Sequence, residues 1–153
     1  MRLLNIRIFV VEEFYDPPKY AILSHTWDRE LTLQEWQSSS EQQRKAYRKA
    51  ACAAEQSVRD GLDYIWIDRL HRQDRQCRAI RSHQFSWYEG AEVCYTYLFD
   101  VGFQDLAAIR EAPFRKSRWF TRSWTLQELV APSDLIFYSC EWIKIGTRDQ
   151  LGV

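Results

Sequence analysis

At 153 residues the chain has the size of one ordinary domain, large enough to bury a core but not two independent ones. A 46% hydrophobic and 15% aromatic composition with seven Trp excludes the disordered class. Lys plus Arg equals Asp plus Glu at 21 each, so no overall field draws the chain to nucleic acid or an anionic membrane.

Polar residues interrupt Met1 to Arg7 before a signal-peptide core can form, and no later apolar stretch approaches bilayer length. The expectation is a soluble, cytoplasmic domain over residues 1–153 that engages neither membrane nor nucleic acid. Cys52, Cys77, Cys94 and Cys140 contain no C-x-x-C pair, so neither a disulfide framework nor a zinc site is expected. No metal ligand set is assigned.

In chain order, Ile6 to Val11 is rich in β-formers, and Asp16-Pro17-Pro18 marks a turn. Tyr20 to Leu23 then reads as a short buried strand, with Ser24, His25 and Thr26 at its carboxyl end. Ala46, Tyr47, Ala50, Ala51, Ala54 and Val58 recur at three- and four-residue steps, predicting a helix over Glu41 to Asp60 that stops at Gly61. Leu62 to Ile67 reads as a second buried strand ending at Asp68, and Glu92 to Leu98 as a third. Between them a helix is expected near Gln76 to Glu89. A last helix is expected around Ser123 to Val130, before Pro132, and then the strand Leu135 to Tyr138. Alternating strands and helices predict an α/β fold, a parallel sheet flanked by helices, with ligands at the carboxyl ends of its strands.

Ser24-His25-Thr26 is a poor catalytic pair, because adjacent residues rarely face one another and no G-x-S-x-G elbow is present. Its hydroxyls and N–H groups either cap the next element or cradle a phosphate. Asp68 at a strand end either caps the following turn or serves a ribose hydroxyl, a metal or a proton transfer. Trp27, Trp66, Trp119 and Trp124 suit core or rim packing better than ligand stacking. Trp124 and Glu128 lie four apart and share a helix face, with Leu126 and Leu129 turned toward packing partners. Glu128 is either a surface carboxylate complementing the helix dipole or, held against an indole, a group that stabilises a cationic transition state. Arg115, Lys116, Arg118 and Arg122 form a basic cluster that either holds a diphosphate or is simply solvated.

Three blocks occur in fixed order: Tyr-Ala-Ile-Leu-Ser-His-Thr-Trp from Tyr20 to Trp27, Tyr-Ile-Trp-Ile-Asp from Tyr64 to Asp68, and Trp-Thr-Leu-Gln-Glu-Leu from Trp124 to Leu129. With Gly61-Leu62-Asp63, Ala91 to Tyr95 and Ser117 to Arg122, they make the chain resemble the fungal heterokaryon-incompatibility (HET) domain from Met1 to about Gly146. The resemblance implies an allorecognition protein, an effector of programmed cell death akin to innate immunity, partnered by a non-self sensor protein or by self-association. HET domains in turn resemble TIR domains, which have a flavodoxin-like sheet and some of which cleave NAD at the nicotinamide glycosidic bond. Trp124 and Glu128 match the spacing of the TIR W-C-x-x-E motif. By that resemblance Glu128 is the catalytic carboxylate. Ser24, His25, Asp68, Arg122 and Trp124 line the pocket for NAD, a substrate, and no cofactor is required. The same resemblance leaves open a non-catalytic signalling module or an inactive fragment.

The resemblance breaks after Asp68. Where the family continues Thr-Cys-Cys-Ile-Asp-Lys and then an amphipathic helix, Arg72, Arg75, Arg78 and Arg81 recur every third residue. One synonymous codon series for Leu70 to Gln84, read one base later, gives Cys-Ile-Asp-Lys-Thr-Asp-Ser-Ala-Glu-Leu-Ser-Glu-Ala-Ile, the missing family segment. A local frameshift across residues 69–84 is therefore expected, in a helix short of its apolar stripe. Family members also continue past the Ile145-Gly146-Thr147 region, so a partial, carboxyl-truncated domain is expected.

Overall fold

The computed structural model describes residues 1–26, 47–68, 77–102, 114–122 and 125–153, with the backbone alone for 77–82. Trp27, the stretch 41–46 of the expected first helix, residues 69–76, and Ser123 and Trp124 lie outside the described residues.

Among the described residues seven strands form one sheet. They are β1 (Arg2–Asn5), β2 (Val10–Glu13), β3 (Ala21–His25), β4 (Tyr64–Ile67), β5 (Val93–Tyr97), β6 (Leu135–Tyr138) and β7 (Lys144–Thr147), in spatial order β2-β1-β4-β3-β5-β6-β7. The described helices are α1 (Arg48–Arg59), α2 (Cys77–Glu89), α3 (Thr125–Val130) and α4 (Arg148–Leu151), and a 3-10 turn spans Arg118–Thr121.

The fold class is α/β. The four strands expected from the apolar runs, β3, β4, β5 and β6, pair in parallel. In chain order these four strands run 2-1-3-4 across the sheet, the arrangement of flavodoxin-like doubly wound sheets. The chain leaves β3 for β4 on one side and then crosses to β5 on the other, so the order reverses between β3 and β5.

Three further strands add antiparallel pairs at the two sides of this parallel core. The stretch Ile6 to Val11 is not a strand but mostly the turn of the β1–β2 hairpin. Asn5 explains the difference: its Oδ1 accepts a hydrogen bond from the Arg7 amide at 3.1 Å, an Asx turn, and Phe9 adopts a left-handed φ of 53°.

Alternation along the strands splits the core into two layers. Ala21, Leu23, Ile65, Ile67, Val93 and Tyr95 meet Ala50, Ala53 and Ala54 of α1 on one face. Ile22, Trp66, Cys94 and Phe137 meet Tyr88 of α2 and Trp119 on the other. Small residues let α1 lie close to the sheet. Its end is set by Gly61, whose φ of 75° takes the chain out of the helix and toward β4.

The packing described for α2 comes from Gln84, Trp87 and Tyr88, at the end of the atypical segment 69–84 or beyond it. Tyr88 meets Trp66 edge-on at 5.9 Å, and Trp87 lies 5.7 Å from the same ring. No described helix is long and apolar enough to cross a membrane.

The close approach of α1 gives a direct expectation for stability. Ala53→Leu overfills the layer and lowers unfolding free energy by about 1–3 kcal/mol. Val58→Leu, at a position 55% exposed on the same helix, changes it by less than about 0.5 kcal/mol. Urea denaturation of the two variants checks the contrast.

Candidate functional site

Strand β3 is fully buried, and alternation sends Ser24 to the same face as Ile22, among the aromatic side chains of the second layer. A hydroxyl 1% exposed in apolar surroundings costs roughly 1–3 kcal/mol unless it is hydrogen-bonded. Ser24 makes two such bonds. Its Oγ–H donates to Oε2 of Glu128 at 2.5 Å, and its oxygen accepts from Nε1–H of Trp119 at 2.7 Å. Among the described residues both bonds of the hydroxyl therefore stay inside the core.

Trp119 is delivered by the 3-10 turn, which is itself anchored to the end of β5. Ser117 Oγ–H donates to Asp100 Oδ1 at 2.6 Å, and the Arg118 amide donates to Oδ2 of the same carboxylate at 2.7 Å. Ser117 Oγ in turn accepts the Trp119 amide at 3.3 Å, capping the turn. The indole is wholly buried, edge-on to Phe120 and Phe137.

Helix α3 places Glu128, and Thr125 at its start donates its hydroxyl to the Trp119 carbonyl. Glu128 is only 3% exposed, which overturns its reading as a surface carboxylate. Leu126 differs from expectation too, at 69% exposed, because burial of Glu128 and Thr125 turns the helix so that Leu126 meets solvent. Arg122 joins the arrangement from the end of the turn: one Nη donates to the His25 carbonyl at 2.7 Å, and the other lies 3.6 Å from Glu128 Oε1.

Burial raises the Glu128 carboxyl above its ordinary value. The Arg122 charge, the Ser24 hydroxyl and a charge on His25 act against that shift, whereas the Asp68 charge reinforces it. Tyr88 is held well above its usual range by burial, then by the charges of Glu128 and Asp68, so its hydroxyl stays protonated. Burial likewise keeps Cys94 as a neutral thiol.

Ser24, Arg122 and Glu128 are thus in direct contact, and the His25 carbonyl is fixed by Arg122. Asp68, buried at the end of β4, is close enough for its charge to act on Glu128. Trp124 lies outside the described residues. Two participants were missed from sequence. Trp119 packs as expected but also donates its indole N–H, with the Ser-Arg-Trp-Phe-Thr-Arg block as its sequence signal, whereas no motif marks Tyr88. At the opposite ends of the parallel strands, a cleft of about 350 Å³ is lined by Lys19, Asp60, Glu92 and Asp134, with Ile136 at its wall. It is remote from Glu128 and holds none of the residues above.

No protein-family model matches the chain, and no solved structure matches it. Over 144 residues, 88% of the chain, the sequence is 35% identical to the "Vegetative incompatibility protein HET-E-1" of Podospora anserina. The chain is a relative of a vegetative incompatibility protein. It spans 11% of that protein's length.

The raised carboxyl makes stability depend on pH with a definite sign. A native state that binds the Glu128 proton more tightly than the unfolded chain has its full stability below the ordinary carboxyl range. It loses that stability as pH rises through the folded value. Glu128→Gln keeps the shape without the charge. The variant should be at least as stable as the parent at pH 7, and the difference should vanish near pH 4. Denaturant midpoints at the two pH values check it; a variant less stable than the parent at pH 7 alone would contradict it.

Proposed function

We propose that the chain is a HET-type domain acting in heterokaryon incompatibility as a cell-death effector, and that the site around Glu128 cleaves the nicotinamide–ribose bond of NAD. The observation that carries the chemistry is a carboxylate 3% exposed, held by a hydroxyl and faced by a guanidinium, at the carboxyl edge of a doubly wound sheet. The relationship to HET-E-1 supports the biological setting.

In NAD the leaving nitrogen is already a pyridinium. Heterolysis of the C1′–N bond returns its electron pair to that ring, giving neutral nicotinamide, so the leaving group needs no general acid. What the step needs is stabilisation of the oxocarbenium-like ribosyl centre, which a fixed carboxylate supplies. Water then attacks C1′ and loses its proton to solvent. Arg122 is suited to the diphosphate, and Asp68 to a ribose hydroxyl.

A second reading, in which the chain signals by self-association or through a non-self sensor without catalysis, draws on Leu126 and Val130. They lie one turn apart on α3 and are 69% and 59% exposed.

Incubating the purified chain with NAD and following nicotinamide release separates the readings. The catalytic reading predicts steady release that falls about a hundredfold or more in Glu128→Gln. Unchanged release in that variant removes Glu128 from the chemistry. No release from the parent chain, together with concentration-dependent assembly, favours the signalling reading.

A further inference from the structure

We propose that Trp119 and Ser24 are positioning residues: together they form a one-way hydrogen-bond relay that fixes Glu128 as a hydrogen-bond acceptor and holds its carboxylate in one orientation.

The direction of the relay follows from the donors and acceptors available. An indole N–H can only donate, so the 2.7 Å contact puts the Trp119 hydrogen on Ser24 Oγ. A serine hydroxyl has one proton, and among the described residues its second contact is Glu128 Oε2 at 2.5 Å. With one lone pair occupied by the indole, the Ser24 proton points at the carboxylate, and Oε2 receives it. Oε1 is left toward Arg122, 3.6 Å away.

The relay is held from both ends. Asp100 and Ser117 anchor the turn that carries Trp119, and Thr125 ties the first residue of α3 to the Trp119 carbonyl. Rotation of the hydroxyl away from Glu128 would break a buried bond, and no other acceptor for it stands among the described residues. Among the described residues the groups near the carboxylate come from five elements. Ser24 and His25 come from β3, Asp68 from β4, Tyr88 from α2, Cys94 from β5, and Arg122 from the end of the turn. Tyr88 and Cys94 are neutral, and Asp68 opposes ionisation. Among the described residues the Arg122 charge, the Ser24 hydroxyl and a charge on His25 favour the charged form.

Its consequence for activity rests on the NAD-cleaving reading, but its test does not. The carboxyl carbon of Glu128 can be followed by NMR in the full chain carrying labelled glutamate, with Glu128→Gln identifying the resonance. Ser24→Ala should move the Glu128 titration to higher pH, Trp119→Phe should move it the same way by less, and Ser24→Thr should restore it. Circular dichroism shows whether each variant folds, and if Ser24→Ala does not, Trp119→Phe decides.

Should NAD cleavage be present, the acid limb of its pH profile moves with the titration in Ser24→Ala. Turnover then drops roughly tenfold on the acid side and recovers at high pH. A purely structural role for Ser24 would lower turnover equally at all pH values. A Glu128 titration unchanged in the folded variants overturns the relay. Absence of NAD cleavage in the parent chain sinks the catalytic reading and leaves the carboxyl titration to decide the relay by itself.

Discussion

One serine hydroxyl joins the parts of this protein that make its candidate site. Ser24 follows the apolar run Ala21 to Leu23 in its strand, and the two elements that meet it come from distant stretches of sequence. The indole partner is 95 residues away and the carboxylate partner 104 residues away. Neither the 3-10 turn nor the six-residue helix α3 is long enough to hold its own conformation in water. Their positions depend on tertiary contacts: the aromatic packing of Trp119, Phe120 and Phe137, and the buried hydrogen bonds that end on Ser24. Each of those bonds satisfies a group that would otherwise be buried and unpaired, so loss of one partner is costly and the geometry is well determined.

The electrostatic design follows from the same contacts. A carboxylate taken out of water at the carboxyl edge of the sheet has its charge disfavoured by burial and by Asp68. Arg122 and the Ser24 hydroxyl offset part of that cost without removing it, and Arg122 is tied by its other Nη to the His25 carbonyl. The balance leaves a carboxyl raised above its ordinary value yet organised to accept charge, which is how a site trades stability for reactivity. Tyr88, kept protonated, adds a neutral hydroxyl to the same neighbourhood. At the opposite end of the sheet Asp60, Glu92 and Asp134 line the cleft as exposed carboxylates, and Asp60 accepts a hydrogen bond from the Tyr95 hydroxyl at 2.6 Å.

Much of the fold was readable because buried parallel strands are apolar runs. β3, β4, β5 and β6 all fell where such runs stand between turn signals, and Gly61 ended α1 where expected. The antiparallel additions were harder to read. β1 and β2 are four residues each, and the β-forming composition of Ile6 to Val11 was outweighed by one Asn5 side chain that bends the chain. The site was readable in its members but not in its wiring. Ser24, Arg122 and Glu128 could be named from motifs. The partnership of Ser24 with Trp119 depends on how a turn docks across the sheet, and no local pattern encodes it. Burial of Glu128 was hidden for a related reason. In a helix as short as Thr125–Val130, the apolar residues Leu126, Leu129 and Val130 do not define a stripe, and Leu126 and Val130 face solvent.

Exchange of the Trp119 indole hydrogen with solvent tests this arrangement most directly, because that hydrogen sits at the junction of turn, strand and helix. The indole N–H resonance, assigned by loss in Trp119→Phe, should exchange as slowly as the backbone amides of β3, and should exchange faster in Ser24→Ala. Exchange as rapid as that of a solvent-exposed indole, or protection indifferent to Ser24, would contradict a site built on this hydrogen bond.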